Sequence, residues 1–388
     1  MLEALELDRA ALAKIDAQVR ILKIVAQISP LPDSITELIA TGEAAQQRLD
    51  SYKYPVLTLP NEIVAEIFLH FLPPYPDVDV FGKSTPTRLT HICRQWRDVA
   101  LSTPALWRAI RPCRARAMFS LGWDEVFSLT TAFLERSGSL PLSVHASDAY
   151  KPSPFVPSII LHRDRWEHIT FCLEAPTLSN ALDGPMPLLR TMWLRPQGGS
   201  SRQPIAVPSD NVPLLRSVTL DDRGARIVRL PWSQLTSLKL SDHVSLTPCV
   251  SILRQTTCLT NLALCLSDTW YDGDDPRDTY PDLILPHLEN LAFEPRSDMH
   301  QGFFQSLVAP ALLWLELPEM FFGVSRSDRI QVGLLNSFIL KSGCKLDGIR
   351  ITEASFPEIY RDALPSVPQV ISLARVSRPL TVPLRIVR

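Results

Sequence analysis

Eight segments of the chain repeat one apolar pattern, LxxLxL with conservative swaps, beginning at Trp166, Leu189, Leu215, Leu235, Leu259, Leu288, Leu312 and Leu346. Their successive spacings are 23, 26, 20, 24, 29, 24 and 34 residues. No other feature constrains the fold as much, because a unit of that size cannot bury its own apolar face and must stack on its neighbours. The alternation within each copy is that of a strand. It turns the fourth and sixth residues inward and the third, fifth and seventh outward. Copies also share their flanks, as in PLLRTMWL, PLLRSVTL, PHLENLAF and PALLWLEL, which a common residue recurring by chance does not explain.

Six of the seven spacings fall within the 20 to 29 residues of leucine-rich repeats, so residues 139–388 resemble that class. The Asn or Cys three residues past the last Leu is missing. The repeats are therefore expected to be irregular, with their backbone ladder satisfied by other means. Among the outward positions, Trp193, Arg195, Lys239, Trp314, Glu316 and Arg350 are the candidate substrate-binding residues. Trp193 and Trp314 are the anchors, since an exposed indole is costly in solvent and common at interface hot spots.

Upstream, Leu5, Leu12, Val19 and Ala26 fall seven apart, with Ile15 and Leu22 on the second seam and Asp8 interrupting it. Pro30 and Pro32 end this stripe, and a second helix is expected from Ser34 to Leu49. Residues 1–54 thus read as either a helical hairpin or a short coiled coil, with the whole chain expected to be monomeric. At Leu59-Pro60-Asn61-Glu62 the pattern changes. Proline at the first helical position loses no hydrogen bond there, and Ile63/Val64, Ile67/Phe68 and Phe71/Leu72 make one broad apolar face. A second helix carries Leu89, Ile92, Cys93, Trp96, Val99 and Ala100, and Pro104 opens a short third one with Leu106 and Trp107.

The run LPNEIVAEIFLHFL, then ICRQWRDVA and STPALW, resembles an F-box over residues 55–108, with an insert from Pro73 to Thr87 of the kind found in the large fungal group of F-box proteins. The resemblance implies docking to a Skp-family linker protein, and through it to a cullin, by Leu59, Pro60, Ile63, Ile67, Phe68, Cys93, Trp96, Leu106 and Trp107. It also implies a substrate adaptor of a cullin-based ubiquitin ligase; the alternative is an interaction scaffold without a ligase role. The expected fold is α+β: N-terminal helices and a three-helix F-box, a bridging helix within 109–138, then an irregular α/β leucine-rich-repeat solenoid over 139–388.

Catalytic chemistry is sought without success. The eight His include no HExxH, and there is no GxSxG serine. Phe81-Gly82-Lys83-Ser84-Thr85 imitates a phosphate loop, but the pattern needs Gly where Asp77 stands. Asp268, Asp272, Asp274, Asp275 and Asp278 miss the EF-hand spacing, and the seven Cys form no CxxC pair. With 39 basic against 41 acidic side chains, no general field favours nucleic acid. The expectation is a chain without enzymatic activity, cofactor, metal or nucleic-acid partner. The acidic start MLEALELDRAALAKID and the lack of a long apolar run predict an intracellular protein of cytoplasm or nucleus, away from membranes.

Overall fold

A computed structural model of the chain describes residues 13–14, 17, 40–44, 47, 58–78, 84–111, 123–147, 155–198, 203–267, 281–294, 301–318, 328–352, 361, 364–365 and 367–373. These fall into two compact units, Met1–Phe71 with Leu89–Ser102, and Leu72–Arg88 with Thr103–Arg388.

In the first unit, residues 13–14, 17, 40–44 and 47 are helical. The seam residues Leu5, Leu12, Ile15, Val19, Leu22 and Ala26 lie outside the described residues. Helix α1 (Asn61–Phe71) starts where the Pro60 carbonyl accepts the N–H groups of Ile63 and Val64, both at 3.1 Å. It buries Val64 and Phe68, one turn apart. Helix α2 (Arg94–Leu101) buries Val99 and Ala100, and its first turn is capped by Cys93, whose Sγ accepts the Trp96 N–H at 3.4 Å.

The second unit is built on an eleven-stranded, all-parallel sheet whose strands lie side by side in chain order. They are β1 (Ala109–Ile110), β2 (Leu142–Ser147), β3 (Trp166–Cys172), β4 (Thr191–Leu194), β5 (Ser217–Leu220), β6 (Ser237–Val244), β7 (Asn261–Leu266), β8 (Asn290–Phe293), β9 (Trp314–Pro318), β10 (Gly348–Thr352) and β11 (Gln369–Leu373). The LxxLxL copies supply β3 to β10, and their register aligns equivalent positions. Ile169, Met192, Val218, Leu238, Leu262, Leu291, Leu315 and Ile349 form one continuous cross-strand row, none more than 2% exposed. Burial of each such side chain contributes about 1.5 to 3 kcal/mol. Helix α3 (Trp123–Arg136) lies between β1 and β2 in sequence and buries Val126, Phe133 and Leu134.

The recurring proline has a structural cause. Pro187, Pro213, Pro286 and Pro310 each follow the first residue of a tight turn in which the N–H of the pattern's first Leu bonds back three residues, as from Leu189 to Met186 and from Leu312 to Ala309. Proline's fixed φ suits that second turn position. Backbone polarity at the strand entrances is met by a relay. One carbonyl accepts two consecutive N–H groups of the next strand: Arg190 from Arg216 and Ser217, Arg216 from Thr236 and Ser237, Thr236 from Thr260 and Asn261, Thr260 from Glu289 and Asn290. Strand satisfaction therefore does not need the missing Asn.

The expected fold class is corrected. A large parallel sheet in an α/β arrangement replaces a three-helix F-box followed by a solenoid with helices at the N-terminus. Of the three expected F-box helices, α1 and α2 share the first unit. The third is a single 3-10 turn, Pro104–Leu106, belonging to the sheet unit and leading directly into β1. The physical reason is burial: Leu106 and Trp107 are 1% and 0% exposed, and Trp107 packs edge-on to Phe133 of α3 at 4.9 Å beneath the Arg136 guanidinium at 4.6 Å.

Candidate functional site

Helix α1 is longer than its own unit can cover. Val64 and Phe68 point inward, while Ile63, Ile67 and Phe71 on the neighbouring stripe are 49%, 42% and 48% exposed. Ile92, ahead of α2, is 58% exposed, and Leu69 and Leu101 are exposed as well. Beneath this surface Phe68 meets Trp96 edge-to-face at 5.0 Å. Arg97 Nε donates to the Thr90 carbonyl at 2.8 Å, which ties α2 to the turn before it. Leu59 is half-buried and Pro60 exposed. Of the nine residues expected to meet a linker protein, Leu59, Pro60, Ile63 and Ile67 reach the surface, and Cys93 and Trp96 are half-buried. Phe68 supports them from within. Leu106 and Trp107 are fully buried core residues of the other unit.

The six substrate candidates all stand on the open side of the sheet, opposite the buried row. Trp193, Lys239, Glu316 and Arg350 occupy one cross-strand line set by the register, with Thr219, Ala263 and Ala292 between them. Four ion pairs, made by three cations, lie on this face. Arg195 lies 3.9 Å from Asp221 and 3.6 Å from Asp242, Lys239 is 2.5 Å from Glu294, and Arg350 is 2.8 Å from Glu316. Asp242 reaches Arg195 from an irregular stretch of β6 in which Asp242 and His243 both have φ of 59°, a left-handed conformation uncommon outside glycine. Burial pushes the Asp221 carboxyl up, against the opposing pull of the Gly224 N–H and of Arg195. Trp193 and Trp314 are both half-buried. Trp314 lies against Gly348 of the adjoining strand, where a Cβ would stand 2.7 Å from Cη2 and 2.9 Å from Cε3 of its ring.

At the β2–β3 end the face is taken by the chain itself. The Tyr75 ring lies under the Arg108 guanidinium at 3.7 Å, meets His168 edge-on at 5.2 Å and donates its hydroxyl to Glu167 Oε2 at 3.1 Å. Arg108 reaches the same carboxylate oxygen at 2.8 Å, Arg190 approaches its other oxygen at 3.4 Å, and Asp77 pairs with Arg111 at 2.9 Å. Ser143 Oγ donates to the Pro76 carbonyl at 3.3 Å. The segment 72–78 is thereby held across the first strands, and further along the same side Ala263 and Cys265 of β7 are also buried. None of this was legible in sequence, because Tyr75 and Glu167 are 92 residues apart and belong to no shared motif.

His145, on β2, is largely buried beside Arg111, and its Nδ1 has no hydrogen-bond partner. Burial, reinforced by Arg111, lowers its pKa to about 4. The unfolded chain titrates near 6.5, so it binds a proton that the folded protein resists, and stability falls as pH drops from about 6.5 towards 4. Between pH 7 and 5 the loss from this group is expected to be about 2 kcal/mol. Urea titrations at the two pH values check it: His145→Asn should show that much less pH dependence, and an unchanged pH dependence refutes the assignment.

Among the described residues no cluster of three or more His, Cys, Asp or Glu is arranged to hold a metal ion. No helix among them is long and apolar enough to cross a membrane. Phe81-Gly82-Lys83 and the Asp268 to Asp278 cluster lie outside the described residues. No protein-family model matches the chain, and no curated protein matches it.

Proposed function

We propose that the chain is a non-catalytic adaptor that binds a Skp-family linker protein, and through it a cullin, by the helical unit, and holds a substrate protein on the open face of the sheet. The observation that carries this reading is the concentration of exposed apolar side chains. Six of the eleven large apolar residues exposed among the described residues, Ile63, Ile67, Leu69, Phe71, Ile92 and Leu101, belong to the small helical unit. A concentration of exposed large apolar side chains in so small a unit is what a protein-binding surface requires. The resemblance of Leu59-Pro60, Ile63, Ile67, Cys93 and Trp96 to the linker-binding signature supplies the partner. The mechanism is positional: a substrate held near a ligase-bound thioester gains effective concentration without an acid or base from this chain. Such a protein works inside the cell, in cytoplasm or nucleus.

A second reading, an interaction scaffold without a ligase role, is favoured by one observation. Leu106 and Trp107, the closing pair of the linker-binding signature, are sealed in the core of the sheet unit. Copurification with a Skp-family protein decides between the two. Ile63→Asp with Ile67→Asp should lower linker capture more than tenfold with the helical unit still folded, since both side chains are about half exposed. Undiminished capture by that double variant, or none by the wild type, sinks the ligase reading.

A further inference from the structure

We infer that the side of β1 to β3 beneath the 72–78 segment is a peptide-binding site that the chain fills with its own turn, and that a partner displaces this turn with a tyrosine followed two residues later by a carboxylate. The inference rests on the reading of this face as the substrate surface, and goes further by locating the site and naming what enters it.

What holds the segment divides by position. Leu72 and Val78, at its ends, are each 6% exposed and anchor it. Between them Pro74 and Asp77 are exposed, while Pro73, Tyr75 and Pro76 are half-buried. The Asp77 N–H bonds back to the Pro74 carbonyl at 2.9 Å, which closes a turn with Tyr75 and Pro76 at its centre. Among the described residues no backbone-to-backbone hydrogen bond joins 72–78 to a strand. The turn is seated by two side chains: Tyr75 on Glu167, Arg108 and His168, and Asp77 on Arg111. One further bond runs from Ser143 Oγ to the Pro76 carbonyl. Contacts of this kind break without dismantling the sheet ladder, so the middle of the segment opens while its ends stay fixed.

The receiving side asks for more than the turn supplies. Three guanidinium groups, Arg108, Arg111 and Arg190, meet one carboxylate of the sheet unit's strands, Glu167, and Asp77 of the turn adds only a second. Three cations against two acids leave the filled site with a positive surplus, opposite in sign to the whole chain at −2. Arg108 Nε and His145 Nδ1 are buried there without a hydrogen-bond partner, a state few buried polar atoms are left in. Arg108 Nε belongs to the guanidinium that lies over the Tyr75 ring, so the unmet donor is in the site itself. A segment with a further carboxylate beside its tyrosine answers both the surplus charge and the unmet donor. The turn cannot, because Pro74 and Pro76 flank Tyr75. It holds the site instead through the high effective concentration of a tethered occupant.

The test uses the purified full chain and fluorescein-labelled Pro-Pro-Tyr-Pro-Asp-Val-Asp, the sequence of residues 73–79, with Pro-Pro-Ala-Pro-Ala-Val-Asp as control. Tyr75→Ala with Asp77→Ala empties the site and leaves Leu72 and Val78 untouched. Fluorescence anisotropy should show this double variant binding the tyrosine peptide at least tenfold more tightly than the wild type does, and at least tenfold more tightly than the control. Adding Arg108→Gln should weaken that binding at least threefold. Should the double variant fail to fold, single Asp77→Ala, at a side chain 60% exposed, should raise affinity for the tyrosine peptide at least threefold over the wild type. Displacement is read on the wild type itself: unlabelled Pro-Glu-Tyr-Pro-Asp-Val-Asp in excess should raise nitration of Tyr75 by tetranitromethane at least threefold, as located by mass spectrometry. Equal binding by the folded variant and the wild type, equal binding of the two peptides, indifference to Arg108→Gln, or unchanged nitration overturns the inference. Linker copurification is measured separately, so its failure removes the adaptor reading and leaves this site, while failure of the peptides leaves the adaptor reading.

Discussion

Trp107→Ala is expected to cost about 3 to 5 kcal/mol of stability, the range for removing a fully buried large aromatic side chain. The indole is 0% exposed, faces the edge of Phe133 and carries the Arg136 guanidinium on its ring, so truncation opens a cavity and strips a cation of its aromatic partner. Urea unfolding followed by far-ultraviolet circular dichroism measures the loss. On the proposed adaptor reading, material that remains folded should still capture the linker protein at wild-type affinity, because Trp107 is sealed in the core of the sheet unit. The resemblance to an F-box places Trp107 among the linker-binding residues, and on that assignment the outcome is reversed: weakened capture with modest loss of stability. A stability loss below about 1 kcal/mol would show that the indole is not the core residue described above.

This contrast shows where the sequence could be read and where it could not. Apolar periodicity identified α1 and the strands β3 to β10, because each is specified by a local pattern that survives inspection in isolation; it ran the second helix too far back, since α2 begins at Arg94, Cys93 is its extended cap and Leu89 ends a separate short helix. The outward placing of Trp193, Lys239, Glu316 and Arg350 follows from the same alternation. What local pattern cannot say is which core a short apolar pair enters. Leu106-Trp107 reads equally well as the end of a helical module and as the entrance to a sheet, and the choice is made by Phe133 and Arg136, some 26 residues later. The sheet grows past the repeat at both ends for a similar reason. Strand β1 has two residues, too few for any period, and β11 carries Val370 and Ile371 without the spaced leucines. The cluster of Tyr75, Arg108, Glu167 and His168 was beyond reach altogether, since its members come from three separate stretches of chain and each alone reads as an ordinary solvated residue.

Gly348→Val should destabilise the protein by about 1 to 3 kcal/mol, although valine is the better strand former of the two. A Cβ at position 348 falls on the Trp314 ring, with Cζ3 the nearest atom and Cη2 and Cε3 at 2.7 and 2.9 Å, closer than carbon atoms approach in folded proteins. The indole cannot yield by bending, so it must leave the glycine surface and turn into solvent. Two readouts should therefore move together: stability falls, and tryptophan emission shifts to longer wavelength as one ring becomes hydrated. The decisive measurement is the double variant. With Trp314→Ala the space above position 348 is vacant, so adding Gly348→Val to that background should cost nothing or stabilise, giving a coupling energy of at least about 1 kcal/mol between the two sites. Additive losses would mean that the glycine serves the backbone rather than the ring. Trp314 would then be free to leave the sheet, and the flat indole surface beside Glu316 and Arg350 would not be preformed for the proposed substrate.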